Sequence, residues 1–165
     1  MSNLPSVVGE RSGASRELIQ LVSFELGGEE YGVDVMKVRE IIRMPQITSM
    51  PNTPGYVDGI INLRGAVLPI ISLRRRFGMC DGEADHRRRI LVMEVGEGTT
   101  GFVVDAVAEV LRVAAADIQP PPAVSQGAMA QECINGVINH AERLLIVLDL
   151  DRLFGGEETL LLESF

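Results

Sequence analysis

The 165-residue chain contains no tryptophan, and its aromatic content is only 4%. So few flat rings argue against a stacking platform for single-stranded nucleic acid. Basic residues are also outnumbered: the formal net charge is −8. That balance repels phosphate backbones and anionic lipid, so neither nucleic acid nor a membrane surface is an expected partner. There are two cysteines, Cys80 and Cys133, and they form neither a CxxC pair nor a metal-ligand spacing. Two incidental thiols in a reducing compartment is the reading they support. The N-terminal MSNLPSVVGERSGASRE lacks the apolar region of a signal peptide. No apolar run reaches the ~20 residues of a membrane span. A soluble, cytoplasmic protein without membrane insertion is expected.

Chemistry-bearing motifs are equally scarce. His86 and His140 stand alone, and Ser72 and Ser125 lie in no nucleophile elbow. The composition therefore asks for no catalytic residue, metal or cofactor. Gly96-Glu97-Gly98-Thr99-Thr100-Gly101 spells G-x-G-x-x-G, but Phe102-Val103-Val104 follow, which are strand formers rather than the start of a helix. A hairpin turn is expected there, not a phosphate loop. The arginine runs 74–76 and 87–89 are interleaved with Asp81, Glu83 and Asp85, a pattern of solvated gatekeeping around strands.

What is present is apolar residue, 46% of the chain, enough to bury a core. It is arranged as a duplication. Residues 59–77 align with 136–154 at an offset of 77, with seven of 19 positions identical. Residues 21–43 align with 90–112 at an offset of 69, with seven of 23 identical. The order is A1, B1, A2, B2. Each A-plus-B unit is near the lower limit for an independent core, so the two should share one apolar interface. The copies diverge at a turn, where Leu63-Arg64-Gly65 becomes His140-Ala141-Glu142.

Local patterning gives short strands separated by turn signals, and hence small β-barrels. Residues 18–26, 31–35, 38–43, 67–73 and 90–95 read as strands, and 102–113 is Val-rich. Gly27-Gly28-Glu29-Glu30 reads as a hairpin turn, and 56–62 as a helical turn or bend. Pro69 implies an edge or bulge, because proline cannot donate to a ladder. Residues 1–16 read as a mobile tail, 119–132 as a Pro-rich loop, and 157–165 as a short helix or strand. Glu40 lies between Val38 and Ile42 on one strand face. With Arg64 it forms either a pair of solvated surface charges or a polar anchor beside an apolar groove.

These residues resemble the CheW family of chemotaxis coupling proteins over about residues 18–155. The resemblance rests on Phe24-Glu25-Leu26 with Tyr31-Gly32-Val33-Asp34, on Val38-Arg39-Glu40-Ile41, and on Gly59-Ile60-Ile61-Asn62-Leu63-Arg64-Gly65 followed by Pro69-Ile70-Ile71-Ser72-Leu73. Gly101-Phe102-Val103-Val104-Asp105 carries it in the second copy. It implies a mainly β fold of two pseudo-symmetric five-stranded SH3- or OB-like barrels with short helices, A1 pairing with B2 and B1 with A2. The expected partition is barrel 1 from about 17–63 plus 144–157, and barrel 2 from about 64–143. The resemblance further implies no enzymatic activity. It implies a bridge between the helical tips of chemoreceptors and the regulatory domain of a histidine kinase, with the chain monomeric alone and assembled in arrays. Val38, Glu40, Gly59 and Arg64 are the implied coupling positions. Val35, Val104 and Val107 are expected to line a groove between the barrels that takes the receptor tip. A coupling protein of a pilus or gliding system is the alternative within this class. A small-ligand-binding or enzymatic barrel is the alternative outside it. Glu40 and Arg64 are expected to touch.

Overall fold

A computed structural model describes residues 17–82, 85–96, 98–121 and 133–153. The expectations for the tail, most of the Pro-rich loop and the C-terminal segment lie outside them. The described residues form ten strands and two single-turn α-helices. The strands of the first copy are β1 (Leu18–Leu26), β2 (Glu29–Asp34), β3 (Val38–Arg43), β4 (Val57–Leu63) and β5 (Ala66–Ser72), followed by α1 (Leu73–Arg76). The second copy supplies β6 (Arg89–Val95), β7 (Gly98–Val104), β8 (Ala106–Ala114), β9 (Ile134–His140) and β10 (Arg143–Leu148), followed by α2 (Leu150–Leu153).

The strands form two five-stranded sheets, ordered β8-β1-β2-β10-β9 (sheet I) and β3-β6-β7-β5-β4 (sheet II). Replacing each strand by its copy converts one order into the other. The registers repeat too: Gly32 faces Val147 in the parallel β2–β10 pair, and their equivalents Gly101 and Ile70 face each other in β7–β5. The fold is thus mainly β and SH3-like, although among the described residues no ladder joins β3 to β4 or β8 to β9.

A1 does pair with B2, and B1 with A2, but the third strand of each A unit crosses over. β3 joins β6 in sheet II, and β8 joins β1 in sheet I. The expected partition at 17–63, 144–157 and 64–143 is therefore corrected. β3 and β4 belong to sheet II, while β8 and β9 belong to sheet I. The chain passes from sheet I to sheet II through the tight 3-10 turn Val35–Lys37, and returns at Asp105 between β7 and β8.

Alternation explains the packing. Leu21 points into the interior of sheet I with Leu111, Val113, Ile138, Leu145 and Val147. Its neighbours Val22, Phe24 and Leu26 point the other way, into a core shared with Leu91, Met93, Val95 and Phe102 of sheet II. Ile90 and Val92 fill the interior of sheet II. β1 and β6 are thus buried on both faces, and the shared core is the common apolar interface that duplication demands.

Two local readings change. Residues 57–63 form a strand, because Val57, Gly59 and Ile61 alternate inward along β4, which pairs with β5 from Val57 to Leu63. Pro69 stands inside an interior strand, not at an edge. It is tolerated because the β5 ladder to β7 begins only at Ile70, whereas the equivalent β10 ladder already includes Leu145 and Ile146. The G-x-G-x-x-G stretch is a hairpin, since β7 starts at its second glycine.

Candidate functional site

β3 is one edge of sheet II, and β4 is the other. Backbone bonds do not close that gap, but side chains do. On β3 the inward residues Val38, Glu40 and Ile42 alternate with exposed Arg39, Ile41 and Arg43. Ile42, Ile47 and Leu63 all pack against the interior of sheet II. Glu40 lies next to Ile42 on that face and accepts a hydrogen bond from the Arg64 guanidinium. Arg64 is 70% exposed and Glu40 31%, so the pair closes the gap at the surface.

Arg64 is held there by its turn. It has φ +52° and Gly65 has φ +91°, the left-handed pair of a two-residue hairpin between Leu63 and Ala66. The Asn62 side chain accepts from the Gly65 N–H at 2.9 Å and fixes the bend. The second copy keeps the bend with Ala141 (φ +53°) and Glu142 (φ +65°), and keeps the glutamate as Glu109. It lacks the arginine, so the closing pair exists in sheet II only.

Gly59 has another role. It is buried, with φ +147°, and a Cβ there would run into the Thr48 carbonyl oxygen. Thr48 bridges back to Ile60, and that close crossing is what requires glycine. Gly59 shapes the segment above it and offers no side chain or open surface. Val35, Val38 and Val107 are partly buried against the shared core. Val104 is 0% exposed and cannot line an open groove, because β7 is an interior strand with its inward face in that core. Ile41, which the sequence reading did not single out, takes its place. It is 41% exposed and shares a cleft of about 250 Å³ with Val107, Ala106, Glu25, Arg87 and Arg89. Its outward position on β3, two residues from Arg39 and Arg43, was the available signal.

Much of the arginine-rich connection is internally paired. Arg75 contacts Asp81 at 2.9 Å and Asp58 at 3.1 Å. Arg87 binds Asp85 and holds its carboxyl at about 2. Burial raises Asp58 above the ordinary carboxylate range, and Arg75 only partly offsets this.

Two clasps join the sheets. At one, Arg74 of α1 makes a two-pronged contact with Asp105 at 2.7 and 2.8 Å, and Gly27 of the β1–β2 turn donates its N–H to the same carboxylate at 2.9 Å. At the other, Asp151 of α2 accepts from Lys37 at 2.8 Å and from the Gly96 N–H at 2.9 Å. Gly27 and Gly96 are equivalent, as are Arg74 and Asp151, so the charges are reversed between copies. Burial opposes ionisation of both carboxyls. Their hydrogen bonds outweigh it, and both sit below the ordinary carboxylate range. Cys80 is exposed and Cys133 is buried, and the two are not joined in a disulfide. Among the described residues no group of three His, Cys, Asp or Glu could hold a metal ion, and no helix is long and apolar enough to cross a membrane.

Comparison with known proteins places this geometry. Residues 20–158 match the model of the CheW-like domain. The chain belongs to the CheW-like family. It is 38% identical to the chemotaxis protein CheW of Treponema pallidum, over 86% of this chain and 85% of that one. Identity to the chemotaxis protein CheW of Klebsiella aerogenes is 35%, over 99% and 95% of the two chains. The crystal structure of the scaffolding protein TtCheW from Thermoanaerobacter tengcongensis superposes with a TM-score of 0.78 at 33% identity, covering 86% of this chain and 96% of that one. The CheW-like fold therefore extends across both sheets, and chemotaxis scaffolding is the setting of the relatives' names.

Proposed function

We propose that this chain is a non-enzymatic, cytoplasmic adaptor that couples the helical tip of a chemoreceptor to the regulatory domain of a CheA-type histidine kinase. The observation that carries the proposal is the Glu40–Arg64 pair. It is exposed, it stands at a turn where the copies diverge, and its second-copy equivalent lacks the arginine. The fold does not need it twice, so its presence once marks a docking point. One residue further along β3, on its outward face, Ile41 shares a cleft with half-buried Val107 and offers apolar surface to an amphipathic helix. A charged anchor next to such surface is the usual make-up of a binding hot spot. The chain alone is monomeric in this proposal, and arrays form through the receptor and kinase.

The test is Arg64→Glu. Pull-down of kinase or receptor fragments should fall at least ~10-fold, about 1.4 kcal/mol. The thermal midpoint should hardly move, because an exposed ion pair contributes only ~0–1 kcal/mol. Unchanged binding by a normally folded variant rejects the assignment of this turn.

A further inference from the structure

On β3 and β6, Arg43 and Arg89 are directly opposite each other. Both line one cleft of about 380 Å³, together with Met44 and His86. Like charges at facing positions repel and weaken a strand pair. Among the described residues, no carboxylate neutralises either arginine. Asp85, the acid in that cleft, is taken by Arg87 at 3.0 Å. Arg39, on the same face of β3, is paired with Glu94 at 3.0 Å. Among the described residues, Arg89 donates to the backbone carbonyls of His86 and Arg88.

The duplication shows that the fold does not require this repulsion. In sheet I the same two positions are Arg112 and Gln20, facing each other in β8–β1. One copy holds a neutral partner and the other a second cation, in a chain whose net charge is −8. Arg89 also lines the neighbouring cleft with Ile41 and Val107. The exposed apolar side chains Ile41 and Met44 flank Arg43 on either side. A cationic pair is thus set in a largely charged groove, flanked by apolar Ile41 and Met44, and Arg89 joins it to the neighbouring cleft described above.

We infer that this groove seats an acidic-faced helix of the receptor tip, its carboxylates on Arg43 and Arg89 and its apolar side chains on Ile41 and Met44. The inference rests on the adaptor reading and adds the chemistry of the partner. Carboxylates from the partner relieve the repulsion that the chain alone carries, so binding and strand pairing support each other.

The test uses Arg89→Gln, which installs the second copy's own solution, with Arg43→Gln as a second variant. Full-length wild type and both variants are titrated with a receptor-tip helical hairpin at low and high salt. Each variant should keep or raise its thermal midpoint, bind at least ~10-fold more weakly at low salt, and show a flatter salt dependence. A hairpin with its outward Glu and Asp changed to Gln and Asn should bind wild type weakly and not distinguish it from Arg89→Gln. Equal affinity and equal salt dependence of wild type and Arg89→Gln overturn the inference. Inorganic phosphate is the small-anion control. Perturbation of the Arg43 and Arg89 amides by phosphate but not by the hairpin also overturns it, in favour of a small-anion site. If wild type fails to bind the hairpin at all, the adaptor reading itself falls, which the variants cannot mimic.

Discussion

Single positions in this chain divide into those that shape it and those that it presents. Gly59 belongs to the first kind. Gly59→Ala places a methyl group against the Thr48 carbonyl at a φ that L-residues avoid. The variant should lose about 3 kcal/mol or more, seen as a lowered urea midpoint. Any loss of partner binding should then track unfolding, in contrast to Arg64→Glu. Glu142 belongs to the first kind in the opposite sense. Its left-handed φ of +65° is strained, and its equivalent in the first copy is Gly65. Glu142→Gly should therefore raise stability by about 1 kcal/mol, read as a higher melting midpoint. Glu40 and Arg64 could be singled out from sequence because one sits among apolar neighbours on a strand and the other sits where two copies part. Arg43 and Arg89 could not, since 46 positions separate them and only the β3–β6 register makes them neighbours.

Among the elements, the short connections do more than link strands. The Asp105 carboxylate ties α1 to the β1–β2 turn with three hydrogen bonds, two of them from an arginine. Asp105→Asn should lower unfolding stability by about 2 kcal/mol in denaturant titration, the scale of hydrogen bonds to a charged group. Its counterpart is looser: Lys37 is 48% exposed and makes one contact. Lys37→Met should shift stability by less than ~1 kcal/mol. Equal effects at both clasps would count against this ranking. Most strands are readable from alternation, but β4 is not, because Asp58-Gly59 interrupts its apolar pattern. What makes it a strand is its pairing with β5 and the crossing of Thr48, neither of which is local.

For the whole molecule, acid stability follows from the same clasps. Asp105 and Asp151 are held below the unfolded carboxylate value of about 3.9. A depressed folded pKa contributes stability that is complete above the unfolded value and is lost as pH falls through the folded one. Asp58, raised by burial, has the opposite sign and favours folding as it becomes protonated. Asp81 and Asp85 are lowered as well, so four depressed carboxyls against one raised should leave stability falling below about pH 4. Urea midpoints measured from pH 7 to pH 3 should show this, and Asp105→Asn should flatten the slope.

The duplication, the strand-rich fold and the family were all legible in the order of residues, because repeats and alternation are patterns carried by the chain itself. Which strand crosses to which sheet was decided only in three dimensions. An alignment of copies records which segments are equivalent, not which are partners, and β3 would satisfy the same alternation in either sheet. That choice buries Val104, sets Glu40 at the gap beside Arg64, and brings Arg43 opposite Arg89. Hydrogen-bonded register between segments far apart in sequence, rather than composition, thus determines the surface this protein offers.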